Sequence, residues 1–102
     1  MKTEIAKDLE IQEAKPLLKQ PSLYQVVMHN DDFTPMEFVV AVLESFFNME
    51  SALATKKMYE IHTTGKAHCG VFSKDVAETK VEQVMDYARR HEYPLLCSLE
   101  AV

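Results

Sequence analysis

Glycine and proline are scarce, two and four residues in a chain of 102, which excludes a disordered or low-complexity protein. No apolar run approaches the roughly 20 residues that a membrane span needs, so no membrane association is expected. The start, Met1-Lys2-Thr3-Glu4-Ile5, carries an acid early and has no apolar signal core; the expected compartment is the cytoplasm. Cysteine is limited to Cys69 and Cys97, with no CxxC spacing and no second pair. They read as reduced, partly buried thiols, not as a disulfide or zinc framework, and neither metal nor cofactor is expected. A basic surface is missing as well. The formal charge is −5, and residues 1–22 balance four lysines (Lys2, Lys7, Lys15, Lys19) against four acids (Glu4, Asp8, Glu10, Glu13). All of the net charge therefore falls on residues 23–102, a poor surface for phosphate backbones, and nucleic acid is not an expected partner.

What is present, 47% hydrophobic and 26% charged residues, suits one globular domain with a real core. Residues 1–22 are polar, mixed in charge and broken by Pro16 and Pro21. Ile5 and Leu9 are too few to bury a helical face, so these residues read as a flexible N-terminal extension. The core domain, 23–102, opens with Leu23-Tyr24-Gln25-Val26-Val27-Met28, a β-branched and aromatic run that reads as a buried strand. Thr34-Pro35-Met36-Glu37 reads as a capping box: Thr34 as N-cap, Pro35 at the first helical position and Glu37 reaching back. Met36, Val39, Val40, Leu43, Phe46 and Phe47 then recur at helical spacing up to Asn48. Ala54, Met58, Ile61 and His62 mark a second helix that stops at Gly65. Lys66 to Ser73 reads as strand two, with Gly70 at a bulge or close approach. Ser73 is placed to cap a third helix, with Asp75 in its first turn. That helix has the stripe Ala77, Val81, Val84, Met85, Ala88 and a basic end, Arg89-Arg90-His91, before Pro94. Leu95 to Leu99 reads as strand three.

Each helix returns the chain along the sheet. Strand two, reached through two helices, runs opposite to strand one; strand three, reached through one, runs parallel to strand two. Three antiparallel neighbours then require strand one in the middle. The expected fold is α+β: a two-layer β-α-α-β-α-β sandwich, with a three-stranded antiparallel sheet and three helices on one face.

The polar triplet Asn30-Asp31-Asp32 stands where strand one gives way to helix one. An antiparallel helix pair brings the end of helix two, with His62, beside that start. Met36, Val39, Met58 and Ile61 would floor the space between, an apolar hollow with a polar rim. Each member also has a purely structural explanation: apolar stripes are core, a histidine near a helix C-terminus answers the dipole, and Asn-Asp-Asp forms turns. Their conjunction favours a ligand site.

Taken in order, Asn30-Asp31-Asp32-Phe33-Thr34-Pro35-Met36-Glu37-Phe38-Val39, His62, Gly65-Lys66-Ala67, Cys69-Gly70-Val71-Phe72, Val76-Ala77-Glu78-Thr79-Lys80 and Pro94-Leu95-Leu96-Cys97 resemble the ClpS family of adaptors, from about Leu23 to Glu100. Phe33 stands where members often have Tyr, and Asp75 where others have Glu. The resemblance implies a monomeric, non-enzymatic adaptor. It would bind proteins that begin with Leu, Phe, Tyr or Trp and pass them to the ClpA unfoldase for degradation by ClpP. It also implies that Asn30, Asp32 and His62 hold the free α-amino group. Thr34, Met36, Val39, Met58, Ile61 and Leu95 would form the side-chain pocket, with Asp31 at its edge and Met36 as the gate against β-branched residues. Asp75 and Lys80 would dock on the unfoldase, and the extension would serve delivery. Two other classes compete. A hydrolase built on Asp31, Asp32 and His62 lacks further ligands or a partnered nucleophile. A structural interaction domain like the C-terminal domain of the ribosomal stalk protein explains the sandwich, but not the triplet with His62.

Overall fold

The computed structural model describes residues 22–102 and contains β1 (Leu23–His29), α1 (Met36–Phe47), α2 (Ser51–Thr64), β2 (Lys66–Ser73), α3 (Lys74–Arg90) and β3 (Leu96–Ala101). Residues 1–21, nearly all of the expected extension, lie outside the described residues. The strands form one sheet in the order β2-β1-β3, with β1 antiparallel to both neighbours. The expected sandwich with a central first strand is the observed one. No described helix is long and apolar enough to cross a membrane.

Period-two alternation sends Val26 and Met28 of β1 to the same side as Ala67, Cys69 and Cys97. The helices meet that side with Val39, Val42 and Leu43 of α1, Ala54, Met58 and Ile61 of α2, and Ala77, Val84 and Ala88 of α3. Burying each larger aliphatic side chain stabilises the fold by roughly 1.5–3 kcal/mol. The other side of the sheet carries polar groups, yet Val27 at its centre is 0% exposed. Val27 is flanked by His68 on β2 and Ser98 on β3, and the ion pair Lys66–Glu100, 3.0 Å, joins β2 to β3 across β1. The Lys66 ammonium in this pair remains largely exposed. The same hydrogen bond from Lys66 holds the Glu100 carboxyl below its usual range.

Several local expectations change. Pro35, extended at φ −63 and ψ 145, is the N-cap residue of α1, and the helix starts at Met36. The Thr34–Glu37 capping box is not formed, because the Thr34 hydroxyl donates to Asp31 Oδ2 at 2.8 Å instead of accepting a helix N–H. Ser73 does occupy the N-cap of α3, but its side chain makes no cap bond. Strand three begins at Leu96, not Leu95, and continues to Ala101, because β1 reaches back to Leu23 and offers it partners. Gly65 ends α2 at φ 98, with its N–H on the Ile61 carbonyl. Gly70 marks a close approach: a Cβ there would stand 2.8 Å from the Phe72 ring. Beside it Cys69 is the extra residue of a bulge, since Val26 pairs with Gly70 and Val27 with His68.

Cys69 and Cys97 are free and buried, on the strands either side of β1. Burial pushes both thiols up to about 12. The unfolded thiol titrates near 8.5, so the folded state favours the protonated form. Its contribution is intact below about pH 8.5 and is lost as pH rises toward 12, by up to about 1.4 kcal/mol per pH unit for each thiol. Urea denaturation between pH 8 and 11 should show the parent losing stability more steeply than the Cys69→Ala/Cys97→Ala double variant. Parallel slopes would contradict it.

Candidate binding site

β1 delivers the chain to Asn30, whose N–H donates to the Gly65 carbonyl at 2.9 Å. This single bond ties the end of β1 to the end of α2, one turn beyond His62. The next residues must then reverse into α1, and Asp31 organises that reversal. Its Oδ1 accepts the backbone N–H groups of Phe33 and Thr34, both at 2.8 Å, and its Oδ2 accepts the Thr34 hydroxyl. This is an Asx-type turn, in which a short carboxylate replaces the missing backbone acceptors. Both Asp31 oxygens are therefore engaged within the turn. Asp32 is not: no described residue accepts or donates a hydrogen bond with its side chain, and the same holds for the side chains of Asn30 and His62. All three are exposed.

These elements enclose a cavity of about 290 Å³, lined by Asn30, Asp31, Asp32, Thr34, Pro35, Met36, Val39, Met58, Ile61 and His62. It lies just under the roughly 300–1,000 Å³ of clefts that take drug-sized ligands, a volume suited to one side chain and its backbone end. Val39, Met58 and Ile61 are buried and form the apolar floor, while Met36 is 40% exposed at the mouth. That exposure separates Met36 from the core stripe of α1 to which its spacing assigns it. Nine of the ten residues expected at the α-amino site and the side-chain pocket thus converge. Leu95 is the exception: it is 5% exposed and does not line the cavity. Pro35 lines it without having been expected, its ring placed there by its position between Thr34 and Met36. Phe33, between two lining residues, leaves its ring 77% exposed beside the mouth.

Two carboxylates, Asp31 and Asp32, line the cavity and oppose the positive partial charge at the N-terminus of α1, whose first turn also carries Glu37. An apolar floor under acceptor groups fits a ligand with an apolar body and a cationic head. Among the described residues, no three His, Cys, Asp or Glu side chains converge as metal ligands would.

The residues expected to dock on a partner lie elsewhere, on α3. Asp75 is exposed and lines a shallow cavity of about 350 Å³ with Val76, Thr79, Lys80 and Gln83. Lys80 has an internal role as well. Its ammonium donates to the Phe46 carbonyl at 2.7 Å, in the last turn of α1, and stands 6.0 Å from the Phe47 ring centroid and 5.8 Å from that of Phe72. A cation at a helix C-terminus satisfies an otherwise unpartnered carbonyl and complements the dipole.

Comparison with known proteins identifies the family. Residues 19–98 match the family described as "ATP-dependent Clp protease adaptor protein ClpS". The ATP-dependent Clp protease adapter protein ClpS of Alkalilimnicola ehrlichii is 55% identical over 91 residues, 89% of this chain and 86% of that one. The solved structure of Agrobacterium tumefaciens ClpS2 bound to L-phenylalaninamide superposes with a TM-score of 0.79 at 36% identity, covering 81% of this chain and 100% of that one. The family match spans most of the chain and the identity to a curated member is high; the chain belongs to the ClpS family of Clp protease adaptors.

Proposed function

We propose that this adaptor captures proteins through a free N-terminal Leu, Phe, Tyr or Trp and hands them to the ClpA unfoldase for degradation by ClpP, acting as a cytoplasmic monomer without catalysis of its own. The observation that carries the reading is the single cavity in which Asn30, Asp32 and His62 rim a floor of Val39, Met58 and Ile61. Phenylalaninamide, the ligand in the related ClpS2 structure, has the same two parts, an ammonium and an apolar side chain. In this reading Asn30 accepts from the ammonium through its side-chain oxygen, Asp32 supplies the opposing charge, and His62 accepts directly or through water. Thr34 and Met36 complete the wall, with Met36 as the gate. Leu95 supports the pocket from behind. Asp75 and Lys80 dock on the unfoldase, Lys80 with the donors not used on Phe46. Residues 1–22 serve delivery rather than capture.

Titrating peptides that differ only in their first residue tests the proposal. Those beginning with Leu, Phe, Tyr or Trp should bind at least tenfold more tightly than those beginning with Val or Ile, and Met36→Ala should narrow that gap by opening the mouth to β-branched side chains. Removing residues 1–17 should leave these affinities unchanged while stopping degradation of a Phe-first substrate by ClpA and ClpP. Equal affinity for all first residues would refute the pocket, and full-rate degradation with the truncated chain would refute the role of the extension.

A further inference from the structure

We propose that the outer edge of β3, with the groove between it and α3, takes up an extended segment of a partner protein that places an apolar and a basic side chain two residues apart on one face. β3 is an edge strand in the order β2-β1-β3. The Val102 N–H donates to the Leu23 carbonyl at 3.1 Å, which sets the phase of the ladder. Antiparallel pairing alternates, so Ser98 and Glu100 also turn their backbone groups to β1, while Cys97, Leu99 and Ala101 turn theirs outward. Among the described residues nothing pairs with those outward groups.

The two sheet edges differ in a way that bears on use. β2 carries Lys66 and the bulge at Cys69, both of which discourage strand addition. β3 runs for six residues, Leu96-Cys97-Ser98-Leu99-Glu100-Ala101, with no Lys, Arg or Pro and no bulge in its pairing with β1. Residues of an added strand that pair with Leu99 and Ala101 share their side of the sheet, so alternate side chains enter the groove beside α3.

That groove has a volume of about 400 Å³ and is lined by Glu78, Val81, Glu82, Met85, Arg89 and Leu99. Val81, Met85 and Leu99 make an apolar floor. The short return from α3 to β3 puts Arg89 at the start of β3 and Glu78 and Glu82 toward its end. Arg89 already faces Asp86 at 3.8 Å, so among the described residues the carboxylates of Glu78 and Glu82 are the unopposed charges of the rim. Positions four apart on a helix lie about 6 Å apart along its axis, close to the roughly 6.6 Å between alternate residues of a strand. The occupant therefore sets an apolar residue over Leu99 and a lysine or arginine at the level of Ala101. A second copy of this chain is disfavoured, because residues 23–102 carry all of the −5 charge and like would meet like.

The probe is the peptide acetyl-Ser-Thr-Val-Thr-Leu-Thr-Lys-Thr-Val-Ser-amide, blocked so that it offers no α-amino group, added to the full chain. NMR should show slowed amide exchange at Cys97, Leu99 and Ala101 and shift changes at Val81 and Met85. Replacing the peptide lysine by glutamate should weaken binding at least tenfold, and Glu78→Lys/Glu82→Lys should reverse that preference. Absence of protection at the three amides, or a preference unmoved by the charge reversal, would overturn the proposal. So would self-association through this edge in sedimentation, or a tenfold gain in affinity on deleting residues 1–21, which would give the edge to the chain's own N-terminal segment.

Discussion

Acetylating the α-amino group of a Phe-first peptide is expected to weaken its binding about a hundredfold, although the side chain that fills the pocket is unchanged. Asn30, Asp32 and His62 stand around one cavity, and none makes a side-chain hydrogen bond to a described residue. An ammonium supplies three donors and the charge that Asp32 opposes. The acetylated amide keeps one donor, loses the charge and adds a carbonyl oxygen that faces acceptors. Leaving two acceptors unpaired costs about 1–3 kcal/mol each, and a loss near 3 kcal/mol is about a hundredfold in affinity. Asp32→Ala should reproduce most of this defect with the free peptide and add little with the acetylated one, because the partner is already gone. In the proposed reading His62 accepts from the ammonium directly or through water. His62→Ala should therefore weaken binding of the free peptide more than that of the acetylated one. Fluorescence anisotropy with both peptides decides it. Comparable affinities would refute capture through the α-amino group, while equal losses for the two peptides in His62→Ala would remove only the part given to His62.

Legibility in the sequence followed the range of the interactions. Helices and strands announced themselves by periodicity: Val39 and Leu43, Ala54, Met58 and Ile61, and Ala77, Val84 and Ala88 are buried as their stripes required, while Val42 is buried outside its stripe and Met36 and His62 are exposed; Gly65 ends α2 as its conformational freedom implied. Strand order followed from counting reversals. Much of the cavity lining was legible because the 30–35 turn, itself half of that lining, leads directly into α1. Hydrogen-bond partners inside that turn were not legible. Thr34 and Asp31 both qualify as cap acceptors by type, and only the folded turn shows the hydroxyl donating and the carboxylate accepting. Leu95 is a related case: the resemblance assigns it to the pocket, and it is buried but outside the cavity lining, a matter of tertiary packing. The groove beside β3 left no local signature, since its lining joins Glu78 and Glu82 of α3 to Leu99 of a strand distant in sequence.

Asp31→Ala and Asp32→Ala, neighbouring substitutions of the same residue type, are expected to fail in opposite ways. Asp31 accepts three hydrogen bonds at 2.8 Å, two from backbone N–H groups and one from the Thr34 hydroxyl, and these close the turn that aims Asn30 and Asp32 into the cavity. Water can reach part of this turn and will replace some of what is lost, so the destabilisation is set by analogy with losing a helix-capping side chain, about 2 kcal/mol. For a folded unit of this size that corresponds to a fall of about 10 °C in Tm. Affinity for a Phe-first peptide should fall as well, because the rim groups are no longer held in register. Asp32 makes no side-chain hydrogen bond to a described residue and is exposed, so Asp32→Ala should lower affinity at least tenfold while moving Tm by less than about 3 °C. Asp31→Asn separates geometry from charge: its side-chain oxygen still accepts the two backbone N–H groups, and it should recover most of the Tm lost in Asp31→Ala. Calorimetry and peptide titration on the three variants separate the two roles. An unchanged Tm in Asp31→Ala would show that the turn holds without its carboxylate, and a large fall in Asp32→Ala would move Asp32 from ligand binding to structure.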